Sequence, residues 1–227
     1  MCGRYTMFAS QQDVEDRFNV TVLALPPKRY NIAPTDEALV IAWNSDADAA
    51  EARLFRWGLI PHWAKDPAIG NRLINARAET LTKKPAFRSA FFHRRCLVVS
   101  TGFYEWCQEG TRKVPYLIHL PDYQLFAFAG LWESWQPPDA PEPLHTFTLI
   151  TVPPNEFVRQ YHDRMPAMLL PEHEQQWIHP HTPPEMLHKI LATPYPAEWL
   201  TAHRVSLRVN NPANDDPSLI ELVDNSP

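Results

Sequence analysis

The sequence predicts an α+β protein in a single domain, residues 1–227, built on a curved, barrel-like antiparallel β-sheet with short peripheral helices. Two observations carry this expectation. Apolar stretches of strand length recur along the chain between polar turns, while stretches with a helical period are few and short. The 24 prolines against 6 glycines are scattered, not repeated, which suits many fixed, irregular loops between short strands.

In chain order, residues 2–6 fit a short strand. Ser10, Gln11, Gln12 and Asp13 read as a helix start, with Val14 and Phe18 as the apolar edge of that helix. EALVIAW (37–43) and EARLFRW (51–57) read as a strand pair around a polar turn, followed by a long loop over 58–74. ARAETLTKKPAFRSAFFHR (76–94) reads as helix in two pieces divided near Pro85. Strands are expected at RCLVVS (95–100), GFYEWCQE (102–109), VPYLIHL (114–120), LFAFAGLWE (125–133) and HTFTLIT (145–151). Helical patterns over 171–179 and 184–191 precede a last strand, HRVSLRV (203–209).

No basic leader precedes an apolar run, and no apolar stretch approaches 18 residues, so neither a signal peptide nor a membrane span is expected. The three cysteines, Cys2, Cys96 and Cys107, form no disulfide framework and fit a cytoplasmic, reducing setting. A formal net charge of -5 argues against a general nucleic-acid coat. Residues 53–113, however, hold 12 Lys+Arg against 4 Asp+Glu, so a basic middle lies between acidic flanks, as for a localised polyanion site. Arginines outnumber lysines 15 to 6, and the guanidinium fork suits phosphates and base stacking.

Candidate chemistry begins at the first residues, MCGR. If Met1 is clipped before the small Cys2, the chain starts with an α-amine and a thiol on neighbouring carbons. Glu105 sits within the aromatic strand GFYEWCQE, where alternation places Phe103, Glu105 and Cys107 on one face. A carboxyl held among rings is desolvated, its pKa rises toward neutrality, and it becomes a poised general acid or base. YHDRMP groups His162, Asp163 and Arg164, a proton carrier beside a phosphate ligand. LINARAET projects Asn75 and Arg77 the same way, and PHWAKD presents Trp63 as a base-stacking candidate in a basic loop. Cys96 and Cys107, on strands, are expected to be buried and inert. His93 and Cys96 have metal-ligand spacing but no second pair completes a site, so no metal and no cofactor are expected.

MCGR, RYNIAPT, RWGLIPHWAKD, LINARAET, GFYEW, HDRMPAML and VNNPANDDPSLIE, in that order, resemble the SRAP family, named "SOS response-associated peptidase", over nearly the whole chain. The resemblance implies the SRAP fold and a protein that shields abasic sites in single-stranded DNA, with a preference for strand junctions left open. It implies that Cys2 is the nucleophile after methionine removal and that Asn75, Glu105 and His162 are catalytic. It places Thr151 in the abasic pocket, Arg4, Arg77 and Arg164 on phosphates, and Trp63 in a stack near the lesion. One departure is that similar members carry two adjacent tryptophans where this chain has Trp63 and Ala64.

The chemistry implied is a self-modifying crosslink. The α-amine attacks the sugar aldehyde to give a Schiff base, and the thiol closes on the same carbon to give a thiazolidine. An N-terminal amine has suitable basicity, with roughly 15% neutral at pH 7 against roughly 0.04% of an ordinary lysine. Glu105 would shuttle protons, His162 would protonate a departing oxygen, and Asn75 would orient the sugar or the amine. AP lyase and thiol (auto)peptidase activities accompany this expectation. The partner is single-stranded DNA with no membrane, and a monomer in the cytoplasm, associated with the nucleoid when on DNA, is the default. Two alternatives stay open on the sequence: an N-terminal-nucleophile cysteine peptidase using Cys2 and His162, and a non-covalent reader of modified bases.

Overall fold

The computed structural model describes residues 2–24 and 27–223. Its elements are β1 (Tyr5–Met7), α1 (Gln11–Phe18), β2 (Thr21–Val22), β3 (Arg29–Ile32), β4 (Glu37–Asn44) and β5 (Ala49–Trp57). These are followed by β6 (Asn75–Arg77), α2 (Pro85–His93), β7 (Arg95–Ser100), β8 (Gly102–Glu109), β9 (Arg112–His119) and β10 (Phe126–Trp135). The chain continues through β11 (Leu144–Val152), β12 (Met165–Pro166), α3 (Pro171–Ile178), α4 (Pro184–Ala192) and β13 (Thr201–Arg204).

Strands β11, β10, β7, β4 and β5 are hydrogen-bonded in that order, and β5 returns to β11 through Arg56↔Thr146 and Trp57↔Phe147, closing a five-stranded barrel. The closing pair is parallel, whereas the other four contacts round the ring are antiparallel. Closure leaves no free edge within the ring. A second sheet, in the order β13-β9-β8-β1-β3, lies against it. The two are joined in the core by aromatic rings. Tyr5 of β1 meets Trp57 and Phe128 of the barrel at ring distances of 5.3 and 6.0 Å. All three rings are buried.

Local sequence explains the ends of the elements. Ser10 caps α1 through the Asp13 amide while the Asp13 carboxylate accepts from the Ser10 amide, and Val14 and Phe18 are buried, as expected. Pro85 opens α2 at its first turn, where a missing N–H is harmless. Buried Arg95 donates to the carbonyls of Phe91 and Phe92 at the end of α2 and of Trp177 and His179 at the end of α3. One cation thus satisfies the last turns of two helices.

Several sequence expectations are corrected. Residues 76–94 do not form helix in two pieces. Asn75–Arg77 is a strand, Ala78–Thr80 a single 3-10 turn, and the α-helix begins only at Pro85. Parallel pairing of β6 with β11, with Arg77 beside Thr151, overrides the helical propensity of that stretch. The last expected strand stops at Arg204, and Leu207–Asn210 turns as 3-10 helix. The first strand starts at Tyr5 and not at Cys2. Cys96 is buried, but Cys107 is only partly so, with its thiol 3.5 Å from the Gln160 carbonyl. Among the described residues no helix is long and apolar enough to cross a membrane.

Candidate active site

The site is assembled where β1, β6, β8 and β11 come together. Cys2 is fully buried, just ahead of β1. Its carbonyl accepts a 2.8 Å hydrogen bond from Nδ2 of Asn75 in β6, and its thiol lies 3.7 Å from the Arg4 carbonyl. The strand itself is fixed by Tyr5 pairing with Phe103 and by the Tyr104 amide donating to the Arg4 carbonyl at 3.0 Å. Asn75 leaves its own Oδ1 buried and without a hydrogen-bond partner among the described residues, an acceptor held ready beside Cys2.

Glu105 lies two residues beyond Phe103 in β8 and is 2% exposed. Alternation holds along this strand. Phe103 joins the main core while Tyr104 packs into a second cluster on the other face with Leu117, Val205, Val209 and Leu219. Burial pushes the Glu105 carboxyl up to about 7, against the lowering pull of the positive N-terminus and with the negative charge of Asp163 adding to the rise. Burial also drives the Cys2 thiol far above the ordinary range, and the Glu105 charge raises it further. The thiol is therefore held in its protonated form.

Thr151, at the end of β11, is fully buried. Nη2 of Arg164 donates to its carbonyl at 2.6 Å and lies 3.3 Å from its hydroxyl. Arg164 is also held by Glu79, with Nη1 and Nη2 at 2.5 and 3.1 Å from the two carboxylate oxygens. His162 precedes it on a turn fixed by Asn155, whose Oδ1 accepts from the Val158 amide at 2.9 Å. The Arg164 amide donates to Nδ1 of His162 at 3.0 Å, which leaves the proton of the neutral ring on Nε2. The Asp163 carboxylate lies 2.8 Å from the same Nδ1 and competes for it only when that nitrogen carries a proton. Burial lowers the His162 pKa, favouring the neutral ring.

The structure thus brings Cys2, Asn75 and Glu105 together and sets Thr151, Arg77, His162 and Arg164 on adjoining strands and turns. Arg77 is exposed, and its guanidinium has no hydrogen-bond partner among the described residues. Trp63, 52% exposed, stands on a loop shaped by two glycines. Gly58 has φ +118°, and a Cβ on it would come 2.7 Å from the Gly70 carbonyl oxygen. Arg4 meets the cluster through its backbone carbonyl, which faces the Cys2 thiol. Two Nη atoms of Arg4 face Asn31 and the carbonyls of Val209 and Asn210. Sequence reasoning passed over Glu79 and Asn155, and it grouped Asp163 with His162 without giving it a role. Glu79 stood in the LINARAET stretch, but its pairing with Arg164 spans 85 residues and no local pattern signals it. Among the described residues no three His, Cys, Asp or Glu side chains gather as a metal centre would require.

A barrel and a second sheet with a buried cysteine ahead of the chain's first strand, flanked by an NAR strand, a YEW glutamate and an HDRMP turn, define one class of protein. The chain belongs to the SOS response associated peptidase (SRAP) family, whose sequence model matches residues 1–212. It is 44% identical to the abasic site processing protein YoqW of Bacillus subtilis, over 97% of this chain and 99% of that one. It is 32% identical to the abasic site processing protein HMCES of Xenopus tropicalis, over 86% of this chain and 66% of that one. Among solved structures, a protein from Bacteroides thetaiotaomicron superposes with a TM-score of 0.87 at 28% identity, covering 98% of this chain and 100% of that one.

Proposed function

We propose that this protein shields abasic sites in single-stranded DNA by forming a covalent crosslink through Cys2, with residues 1–227 acting as one unit. The observation that carries the reading is the surrounding of Cys2: a protonated thiol and a fixed carbonyl beside a buried carboxyl that titrates near neutrality. The printed names of the relatives, abasic site processing proteins, point to the same substrate. Met1 lies outside the described residues, and the mechanism requires its removal.

The steps balance as follows. The Cys2 α-amine adds to the aldehyde carbon of the opened sugar, and loss of water gives the imine. The thiol then adds across the C=N bond. Its sulfur bonds to carbon as the C=N π bond breaks, and its proton passes by way of Glu105 to the nitrogen, which ends as a secondary amine in a thiazolidine. Glu105 takes and returns protons at the amine and thiol, for which a pKa near 7 is well matched. In its imidazolium form His162 gives one ring proton to the departing oxygen and returns as the neutral ring. Asn75 orients the amine or a sugar hydroxyl through its unfilled Oδ1. Thr151 lines the sugar pocket, Arg77 and Arg164 hold flanking phosphates, and Trp63 stacks on a base. The imine acidifies the neighbouring sugar carbon, so AP lyase chemistry would share this intermediate and compete with ring closure.

A cysteine peptidase would need a thiolate, and at Cys2 burial and the Glu105 charge outweigh the positive N-terminus in disfavouring one. Incubation with a single strand carrying one abasic site, followed by a denaturing gel, separates the readings. The proposal expects a heat-stable, slow-migrating band. Peptide turnover without that band would support a hydrolase, and a complex dissolved by salt would support a non-covalent reader.

Arg77→Ala is expected to weaken binding to single strands with or without a lesion. The slope of log K against log salt should fall by about 0.7, the share of one phosphate. Fluorescence anisotropy across a salt series measures this, and a loss confined to abasic strands would place Arg77 at the chemistry instead.

A further inference from the structure

Two of the stretches that mark this sequence, RYNIAPT and VNNPANDDPSLIE, contribute no residue to the cluster around Cys2. In space they meet each other, and they meet Arg4. Asn31, fully buried in β3, lies at the junction. Its Nδ2 donates to the carbonyls of Val209, Asn211 and Asn214 at 3.3, 3.2 and 2.8 Å. Its Oδ1 accepts from Nη1 of Arg4 at 3.0 Å. The orientation of the amide is forced, because the reverse would set an oxygen against three carbonyls. Arg4 also donates to the Val209 and Asn210 carbonyls at 2.6 and 3.3 Å. The segment is pinned from the other side as well. The Asp215 carboxylate pairs with Arg29 and accepts from the amides of Tyr30 and Asn31, and Nε1 of Trp106 donates to Oδ1 of Asn210 at 2.8 Å.

We infer that Asn31 is a positioning residue for the N-terminal nucleophile: by joining Arg4 to residues 209–214 it fixes where Cys2 meets the sugar. The inference rests on the capture reading above. Cys2 is two residues from Arg4 and ahead of the strand ladder, so it is held at Asn75 on one side and through Arg4 on the other. Releasing Arg4 lets the amine and thiol swing on a two-residue lever. A displacement of about 1 Å at a reacting atom is enough to lower a rate by about 10²-fold. The clamp acts on geometry and not on DNA contact. Its signature is a loss of rate at unchanged affinity.

Asn31→Asp keeps the shape of the side chain but turns its donor group into an acceptor facing three carbonyls. At saturating abasic single strand, the rate of heat-stable adduct formation should fall about tenfold or more, while affinity for an intact strand of the same length stays within about twofold. Hydrogen exchange of the Tyr104 amide, which donates to the Arg4 carbonyl, should speed up relative to other strand amides. Trp106→Phe removes only the bond to Asn210, leaves Asn31 intact, and should shift both readouts the same way by less. It keeps the test open should Asn31→Asp fail to fold. Wild-type rates in the folded variants, or affinity falling in step with rate, would overturn the inference. A wild-type protein that forms no adduct would refute the capture reading, and Tyr104 exchange would then decide whether the clamp exists.

Discussion

Cys2→Ser is expected to lose the heat-stable adduct entirely while still forming an imine that borohydride can trap. Serine keeps the α-amine, so the first bond to the aldehyde carbon still forms. Its hydroxyl is a far weaker nucleophile than sulfur toward the imine carbon, and the ring does not close durably. The fold should tolerate the change, because the thiol it replaces already points at the Arg4 carbonyl, which a hydroxyl can use as an acceptor. The assay is a denaturing gel with and without borohydride. An untreated, heat-stable band from the serine variant, equal to wild type, would show that the thiol is not needed.

Glu105→Gln is expected to slow adduct formation by roughly 10²–10⁴-fold with little change in DNA affinity, since glutamine keeps size and hydrogen bonding but cannot exchange a proton. The pH dependence carries a second signature. With the carboxyl pushed up to about 7 by burial, the wild-type rate should inflect near pH 7, and the glutamine variant should lose that inflection. Stability follows the same titration. The folded-state pKa lies above the ordinary value of 4.5, so the stabilisation is fully present below that pH and is lost as pH rises through about 7. Relative to wild type, the glutamine variant should therefore resist urea better at pH 8 than at pH 4. Unchanged rates at every pH would make Glu105 structural.

Much of the two sheets could be read from the chain because their strands alternate or run apolar over their full length. GFYEWCQE is β8 end to end, and RCLVVS is β7. The buried carboxyl at Glu105 was legible for the same reason: a charge among rings has only one physical consequence. What could not be read depends on distant partners. NAR became strand because β11 offered it a parallel ladder, and HRVSLRV broke after Arg204 because Val209 turns inward to a separate core. The charge count of the middle segment overstated its reach. Arg95 is buried against helix ends, Arg94 pairs with Glu133, and Arg53 with Glu51. Arg164 and Arg4, read as phosphate ligands, also bind within the chain, to Glu79 and to Asn31. A guanidinium looks the same in sequence whether it waits for a phosphate or joins two segments of its own chain.

The central claim is that the first bond to the abasic sugar comes from the α-amine of Cys2. The most direct measurement acetylates only that amine in a native-length chain beginning at Cys2, with mass spectrometry establishing both the start and the single modification. Acetylation leaves the thiol, Glu105 and His162 in place and adds little bulk, but it turns the amine into an amide whose lone pair is delocalised. The acetylated protein is then incubated with a single strand carrying one abasic site and resolved under heat and denaturant. The account predicts that it still binds the strand and forms no heat-stable adduct. A stable adduct at the wild-type yield would contradict it.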